Sequence, residues 1–249
     1  MLIFFNLKTI YLYGKLCIKY FSTDMSLRIL FVTATQSEAD ALKILPGIKN
    51  NRDGFLFHNH EIFPLVTGVG SVATAWSLTK CISSGVNPDL AINIGIAGSF
   101  KDDLMTGEVV VPVSDCFADA GIDTGNGFLT LAEAGLEDPD KFPFRGGRIF
   151  SENSFVTKTC ELLRPVQAVT VNMATGSHYN IKMISNRYHP DIETMEGAAF
   201  FYICSREKIP FLALRSVSNK VGPRNKEKWN IRLAIDNLSE KLEEVMLLF

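Results

Sequence analysis

Four stretches of this chain combine residue types and spacing that could do chemistry. The first is Ala34-Thr35-Gln36-Ser37-Glu38. A carboxylate in the first turn of a helix after a strand can act as a general base or acid. It can equally be an acid placed there by the helix dipole. The second is Gly95-Ile96-Ala97-Gly98-Ser99, where small residues let backbone approach a ligand closely. The same run reads as a tight turn against a sheet. No GK[ST] follows it and it is not a GxGxxG fingerprint. The third is Ile192-Glu193-Thr194-Met195-Glu196-Gly197-Ala198-Ala199. A carboxylate here can accept from two vicinal hydroxyls, as in a ribose diol, and a methionine can pack its thioether on the sugar. The plain alternative is an ordinary acidic first turn. The fourth is Ser218-Asn219-Lys220. A side-chain amide carries a donor and an acceptor, which suits a purine edge such as O6 and N7. It also suits a capping or turn asparagine.

These stretches need elements to position them. Strand-like apolar runs recur at Leu27–Thr33, Glu61–Thr67, Leu90–Ile94, Glu108–Val113, Ala168–Val171 and Phe211–Val217. Helical patterns lie between them. Ser37 can cap a helix running through Leu45. Residues Ser71 to Ser84 form a second after the Gly68-Val69-Gly70 turn, and Glu196 to Glu207 a third. At the C-terminal end Ile231, Ile235, Leu238, Leu242 and Val245 make an apolar stripe, with Arg232, Asp236, Glu240 and Glu244 outside it. Alternating strands and helices predict an α/β fold with a mainly parallel sheet covered on both faces. Ligands of such sheets bind beyond the C-terminal strand ends, where all four stretches fall.

Composition narrows the function classes. The 249 residues are 47% hydrophobic and 21% charged, the profile of a soluble globular chain with a sizeable core. Lys and Arg number 25 against 27 Asp and Glu, a net charge of -2, which argues against a nucleic-acid protein held by bulk charge. Five cysteines without a CxxC pair read as reduced thiols, and four histidines without an HExxH make a metal site unexpected. Residues 1–25 read as an N-terminal extension, either upstream sequence before a start at Met25 or a loose tail. Its Lys8, Lys15 and Lys19 interrupt any membrane span, which leaves a membrane-surface anchor as the sharper alternative. Residues 26–249 read as one domain.

Together the motifs Thr67-Gly68-Val69-Gly70, Asn93-Ile94-Gly95-Ile96-Ala97-Gly98, Met195-Glu196-Gly197-Ala198 and Arg215-Ser216-Val217-Ser218-Asn219 resemble the nucleoside phosphorylase and nucleosidase superfamily. Within it, the run from Val217 to Asn225 followed by Trp229-Asn230 is similar to the branch that hydrolyses futalosine. The resemblance implies a single phosphorylase/hydrolase-like α/β domain. Its sheet would be mixed, mainly parallel, twisted and partly barrel-like, flanked by helices. It implies a small-molecule nucleoside substrate, no cofactor or metal, no nucleic-acid or membrane partner, and a homo-oligomer of two or more chains.

By the same resemblance Glu38 would activate the attacking water and Met195 would lie under the ribose. Glu196 would bind its 2′- and 3′-hydroxyls, and Asn219 would face the purine where adenine nucleosidases keep an aspartate. Gly70, Gly95 and Ala97 would border the substrate. Arg224 leads Arg145 and Lys226 as the cation for a substrate benzoate, and Phe150, Phe155 and Met173 are candidates for stacking on the base. Phosphorylases commonly keep an arginine where this chain has Asn93 and a serine where it has Ile96, so water is the expected nucleophile. The expected reaction releases hypoxanthine from futalosine during menaquinone biosynthesis. The alternatives are a methylthioadenosine/adenosylhomocysteine or aminofutalosine nucleosidase, a purine nucleoside phosphorylase, and a non-catalytic nucleoside binder.

Overall fold

The computed structural model describes residues 26–249 apart from 44, 224, 226 and 228. The expectations for residues 1–25, Arg224 and Lys226 therefore concern positions outside the described residues.

The core of the fold is one mixed sheet. Strand β1 (Arg28–Thr33) leads into helix α1 (Gln36–Lys43). Strands β2 (Lys49–Asn51), β3 (Gly54–Phe57) and β4 (His60–Val66) form a meander that returns β4 parallel to β1. Helix α2 (Ser71–Ser83) precedes β5 (Leu90–Ser99), the central strand. Then come β6 (Val109–Asp115), a small hairpin of β7 (Gly121–Asp123) and β8 (Phe128–Thr130), and β9 (Ile149–Phe150). Helix α3 (Ser154–Leu162), β10 (Arg164–Thr170), α4 (His178–Tyr188), β11 (Ile192–Thr194), α5 (Gly197–Glu207), β12 (Phe211–Lys220) and α6 (Ile231–Met246) complete the chain. The spatial order is β11-β10-β6-β12-β5-β1-β4-β3-β2, and β11 pairs back onto β5. Strands β5, β12, β6, β10 and β11 thus close on themselves, while β1 to β4 extend outward as an open sheet. An open parallel sheet alone does not describe it: β12 runs antiparallel to β6, and β11 antiparallel to β5.

Helices cover both faces because the strands are buried on both. Ile29, Phe31, Ile92, Ile94, Leu212 and Leu214 face α1, α3 and α6, where Leu238, Leu242 and Val245 of the C-terminal stripe are fully buried. Each such side chain contributes roughly 1.5–3 kcal/mol of hydrophobic stabilisation. Ile231, at the start of that stripe, stays exposed at 42%. Leu30, Val32, Ala91 and Ala213 face α2 and α5, where Phe200, Phe201 and Phe211 pack edge to face.

Three local departures from the sequence reading shape the site. The cap of α1 is Thr35 rather than Ser37: the Glu38 amide donates to Thr35 Oγ1 (3.3 Å) and the Thr35 amide donates to Glu38 Oε2 (2.9 Å), a reciprocal capping box. Strand β5 does not stop at Ile94 but continues through Ser99, so the small-residue run is strand and not turn. Strand β12 continues through Lys220, with a bulge between Val217 and Asn219. A bulge adds one residue to one strand and re-aims the side chains beyond it.

Candidate active site

The site lies where β5 changes partners. Strand β1 pairs with β5 only from Leu90 to Asn93, and β11 joins it only at Gly98 and Ser99. Between those positions that edge of β5 has no strand neighbour among the described residues. Glu38 reaches into the gap from α1, and the Ile96 amide donates to its Oε1 at 3.3 Å. This approach depends on Gly95, where a Cβ would stand 2.8 Å from Glu38 Oε1. The other carboxylate oxygen is held by the amide and hydroxyl of Thr35, each at 2.9 Å. Glu38 is thereby fixed, although only 7% of it is exposed.

A cavity of about 440 Å³ opens at this gap. Glu38, Ala97, Met195, Glu196 and Asn219 all line it, together with Ile96, Gly98, Met173, Glu193 and Trp229. Glu196 caps α5, and its Oε1 accepts the Gly70 amide at 2.8 Å across the α2 turn. Gly70 sits at φ 94°, a left-handed conformation that glycine adopts without strain, which turns its N–H toward Glu196. Burial pushes the Glu196 carboxyl above its usual range, while the Gly70 hydrogen bond and Arg215 pull it back. Asn219 is 8% exposed. Its Oδ1 accepts from Ser218 Oγ (2.7 Å) and its Nδ2 donates to the Lys220 carbonyl (2.9 Å), which leaves one N–H and one lone pair for a ligand.

Other expected residues fall elsewhere. Arg145 pairs with Glu152 at 2.6 Å, lies over the Phe150 ring, and does not line the cavity. Phe150 and Phe155 do not line it either; Phe155 packs edge to face on Phe249 in the core. Of the three stacking candidates only Met173 borders the cavity, 69% exposed. Asn93 is buried below the site. Its Nδ2 donates to the Val32 carbonyl (2.9 Å), and its carbonyl and Oδ1 both accept from Arg215.

Arg215, which opens the motif Arg215-Ser216-Val217-Ser218-Asn219, is a functional residue that its sequence context does not assign. It is 2% exposed, beneath Gly95, with the charges of Glu196, Glu38 and Asp115 around it. A cation in the middle of the apolar strand Phe211–Val217 is the signal that marks it, since charged residues are rarely buried without partners. Asp115 is the third carboxylate near it. Its Oδ1 accepts from Thr170 Oγ1 and the Cys116 amide, and burial pushes its carboxyl up to about 7. Glu193 lines the cavity as well, its Oε1 accepting the Thr175 amide at 2.9 Å.

A second cavity, of about 590 Å³, lies near Phe144, Arg148 and Tyr188 and contains none of these carboxylates. Among the described residues no group of three or more His, Cys, Asp or Glu side chains is arranged to hold a metal ion, and no helix is long and apolar enough to cross a membrane.

The profile of the phosphorylase superfamily matches residues 28–248, almost the whole described chain. The chain belongs to the phosphorylase superfamily. A futalosine hydrolase from Streptomyces coelicolor is 30% identical over 230 residues, covering 86% of this chain and 93% of that one. Two solved structures share the fold. A 5′-methylthioadenosine/S-adenosylhomocysteine nucleosidase mutant from Helicobacter pylori, with 5′-methylthioadenosine in its active site, superposes with a TM-score of 0.74 at 17% identity over 90% of this chain and 100% of its own. The futalosine hydrolase of Helicobacter pylori superposes with a TM-score of 0.72 at 17% identity, covering 89% of this chain and 98% of that one.

Proposed function

We propose that this chain hydrolyses the N-glycosidic bond of futalosine, releasing hypoxanthine, as a step of menaquinone biosynthesis. The observation that carries this reading is the convergence of Glu38, Glu196, Met195 and Asn219 on one cavity. It is supported by a futalosine hydrolase at 30% identity over most of the chain.

The chemistry follows from the positions. Glu38 takes a proton from water, held for the task by Thr35 and the Ile96 amide. The ribosyl C1′ develops oxocarbenium character as its bond to the purine stretches. Glu196 accepts hydrogen bonds from the ribose diol and fixes the sugar for attack, while Met195 packs beneath it. Asn219 stabilises the negative charge that builds on the departing base. An amide donates no acidic proton, so leaving-group activation rests on hydrogen bonding. Arg215, buried between the carboxylates, offsets the repulsion of placing Glu38 and Glu196 at one cleft.

Water rather than phosphate is the nucleophile in this account. The segment from Thr33 to Glu38, where β1 passes into α1, offers a carboxylate, which repels phosphate, and the side chain of Asn93 is tied to Val32 and Arg215. The methylthioadenosine alternative is disfavoured by Asn219, which stands where adenine nucleosidases keep an acid. The free thiols Cys81, Cys116, Cys160 and Cys204 suit a reducing cytoplasm. Val69, Val72 and Trp76, exposed together beside the cavity at 58%, 81% and 64%, suit burial against a second copy in a homo-oligomer.

The test is a substrate panel of futalosine, aminofutalosine, methylthioadenosine and inosine. Hypoxanthine release from futalosine in preference to the rest supports the assignment. Adenine release from methylthioadenosine at a higher kcat/KM overturns it.

A further inference from the structure

Glu196 holds the cap position of α5, yet its side chain makes no capping hydrogen bond. A cap residue ordinarily turns its side-chain oxygen back onto the second or third amide of its own helix. A glutamate that did so would carry its carboxylate away from the cavity. Here Oε1 crosses instead to the Gly70 amide. The first amides of α5 still need acceptors, because the helix itself supplies none. Two threonines of the sheet supply them. The Gly197 amide donates to Thr194 Oγ1 (3.2 Å), and the Ala198 amide donates to Thr170 Oγ1 (2.8 Å).

Asp115 orders the protons of that pair. Asp115, Thr170 and Thr194 are the last residues of β6, β10 and β11, which lie side by side in the sheet. Thr170 donates to Asp115 Oδ1 at 3.0 Å. A hydroxyl has one proton to give, so in the Thr170–Thr194 contact at 3.1 Å it is Thr194 that donates. Both lone pairs of Thr170 Oγ1 are then used, one by Thr194 and one by the Ala198 amide. Oδ1 also accepts the Cys116 amide at 2.8 Å, so a proton taken up by Asp115 goes to Oδ2 and leaves this chain of donors unchanged. Asp115 and Thr170 are fully buried and neither lines the cavity. The helix start sits close on them. A Cβ at residue 197 would stand 2.1 Å from Asp115 Oδ2 and 2.9 Å from Thr194 Oγ1, so the position has to be glycine.

We propose that Thr170 is a positioning residue for the sugar contact: with Thr194 it caps α5 in place of the Glu196 side chain, and so leaves that carboxylate free to meet the diol. This rests on the reading of Glu196 as the group that binds the ribose. Without the Thr170 hydroxyl the Ala198 amide is a buried donor with no acceptor, which a helix start does not tolerate cheaply. The side chain at the cap position is the ordinary source of a replacement, and a carboxylate there is drawn to the positive end of the helix. Glu196 then turns from the cavity onto its own helix. The loss falls on the contact to the sugar hydroxyls and spares the rest of the substrate.

Futalosine and its 2′-deoxy analogue, offered to the full chain, are the two probes. The analogue lacks one of the hydroxyls, so its turnover depends less on where Glu196 points. Thr170→Val keeps the shape of the side chain and removes its hydroxyl. It is expected to lower kcat/KM for futalosine about 10- to 100-fold, the range for a hydrogen bond to a charged group, and to narrow the preference for futalosine over the analogue by at least about threefold. Thr170→Ser is expected to restore both rate and preference. A folded Thr170→Val protein that loses the two activities in parallel, or loses neither, overturns the proposal, because a merely structural role does not distinguish the two substrates. Amide hydrogen exchange of the unaltered chain needs no variant to fold. The Gly197 and Ala198 amides are expected to exchange at least about 100-fold more slowly than open chain, and exchange at the open rate overturns the cap. The two readings fail separately. If futalosine is not cleaved, the reading of the site falls, and the amide exchange still decides the cap. If futalosine is cleaved and the preference survives Thr170→Val, the reading of the site stands and the role of Thr170 falls.

Discussion

Replacing Glu38 by glutamine keeps the size of the side chain and removes its charge, which separates the role the structure shows for this residue from the one proposed for it. One role is architectural. Oε2 closes the capping box with Thr35, and Oε1 accepts the Ile96 amide at 3.3 Å. The glutamine oxygen can retain both bonds to Thr35. Its NH₂ then faces the Ile96 N–H, donor against donor. An unsatisfied buried donor costs about 1–3 kcal/mol. For a chain of this size each kcal/mol lowers Tm by about 2–4 °C, so a drop of several degrees is expected. The proposed role is catalytic. An amide cannot take a proton from water, and loss of a general base lowers kcat by about 10²- to 10⁴-fold. The assay pairs thermal unfolding with steady-state hypoxanthine release, measured well below the lowered Tm. A kcat loss above 10²-fold with KM little changed is expected. A variant whose Tm falls while kcat stays within about threefold would make Glu38 a cap and nothing more, and the general-base assignment would be wrong.

Three further outcomes follow from the same geometry. Gly95→Ala places a methyl 2.8 Å from Glu38 Oε1; kcat should fall by about tenfold or more, with a stability loss of about 1–3 kcal/mol from overpacking, and unchanged turnover would show that Glu38 moves freely. Burial raises the Glu196 carboxyl, so the rate should decline with falling pH above the ordinary carboxylate range as Glu196 takes up a proton and ceases to accept from both hydroxyls. Glu196→Gln should lose about 10²-fold in kcat/KM and flatten that limb of the pH profile. Asp115 titrates near 3.8 unfolded and about 7 folded, so between those values the unfolded chain releases a proton that the folded chain keeps. Stability should therefore fall as pH rises through this window, by up to about 4 kcal/mol, and chemical denaturation of Asp115→Asn should show a shallower fall.

The main strands and three of the long helices were legible in the sequence because they carry continuous apolar runs or a clean stripe. Leu238, Leu242 and Val245 announce α6, and all three are buried. What stayed hidden has physical reasons. Strand β5 beyond Ile94 consists of Gly, Ile, Ala, Gly and Ser, which carry little strand signal, yet the backbone needs those small residues to admit Glu38 and Asn219. Helices α3 and α4 are polar on their outer faces; their caps Asn153 and Ser177 were readable, but a cap without a strong stripe is weak evidence. The closure of β11 onto β5 is a tertiary pairing of two residues that no local pattern announces. Residue type and family resemblance point to Glu38, Met195, Glu196 and Asn219, which share one cavity. Arg215 carries no such local mark, because the carboxylates around it come from other elements.

The most direct test of the hydrolytic account is product analysis of futalosine turnover by the full chain, with and without inorganic phosphate, using mass detection of the sugar product. The account predicts hypoxanthine and a free carboxyaryl ribose at a rate indifferent to phosphate. A ribose 1-phosphate product with a rate that rises with phosphate would contradict it.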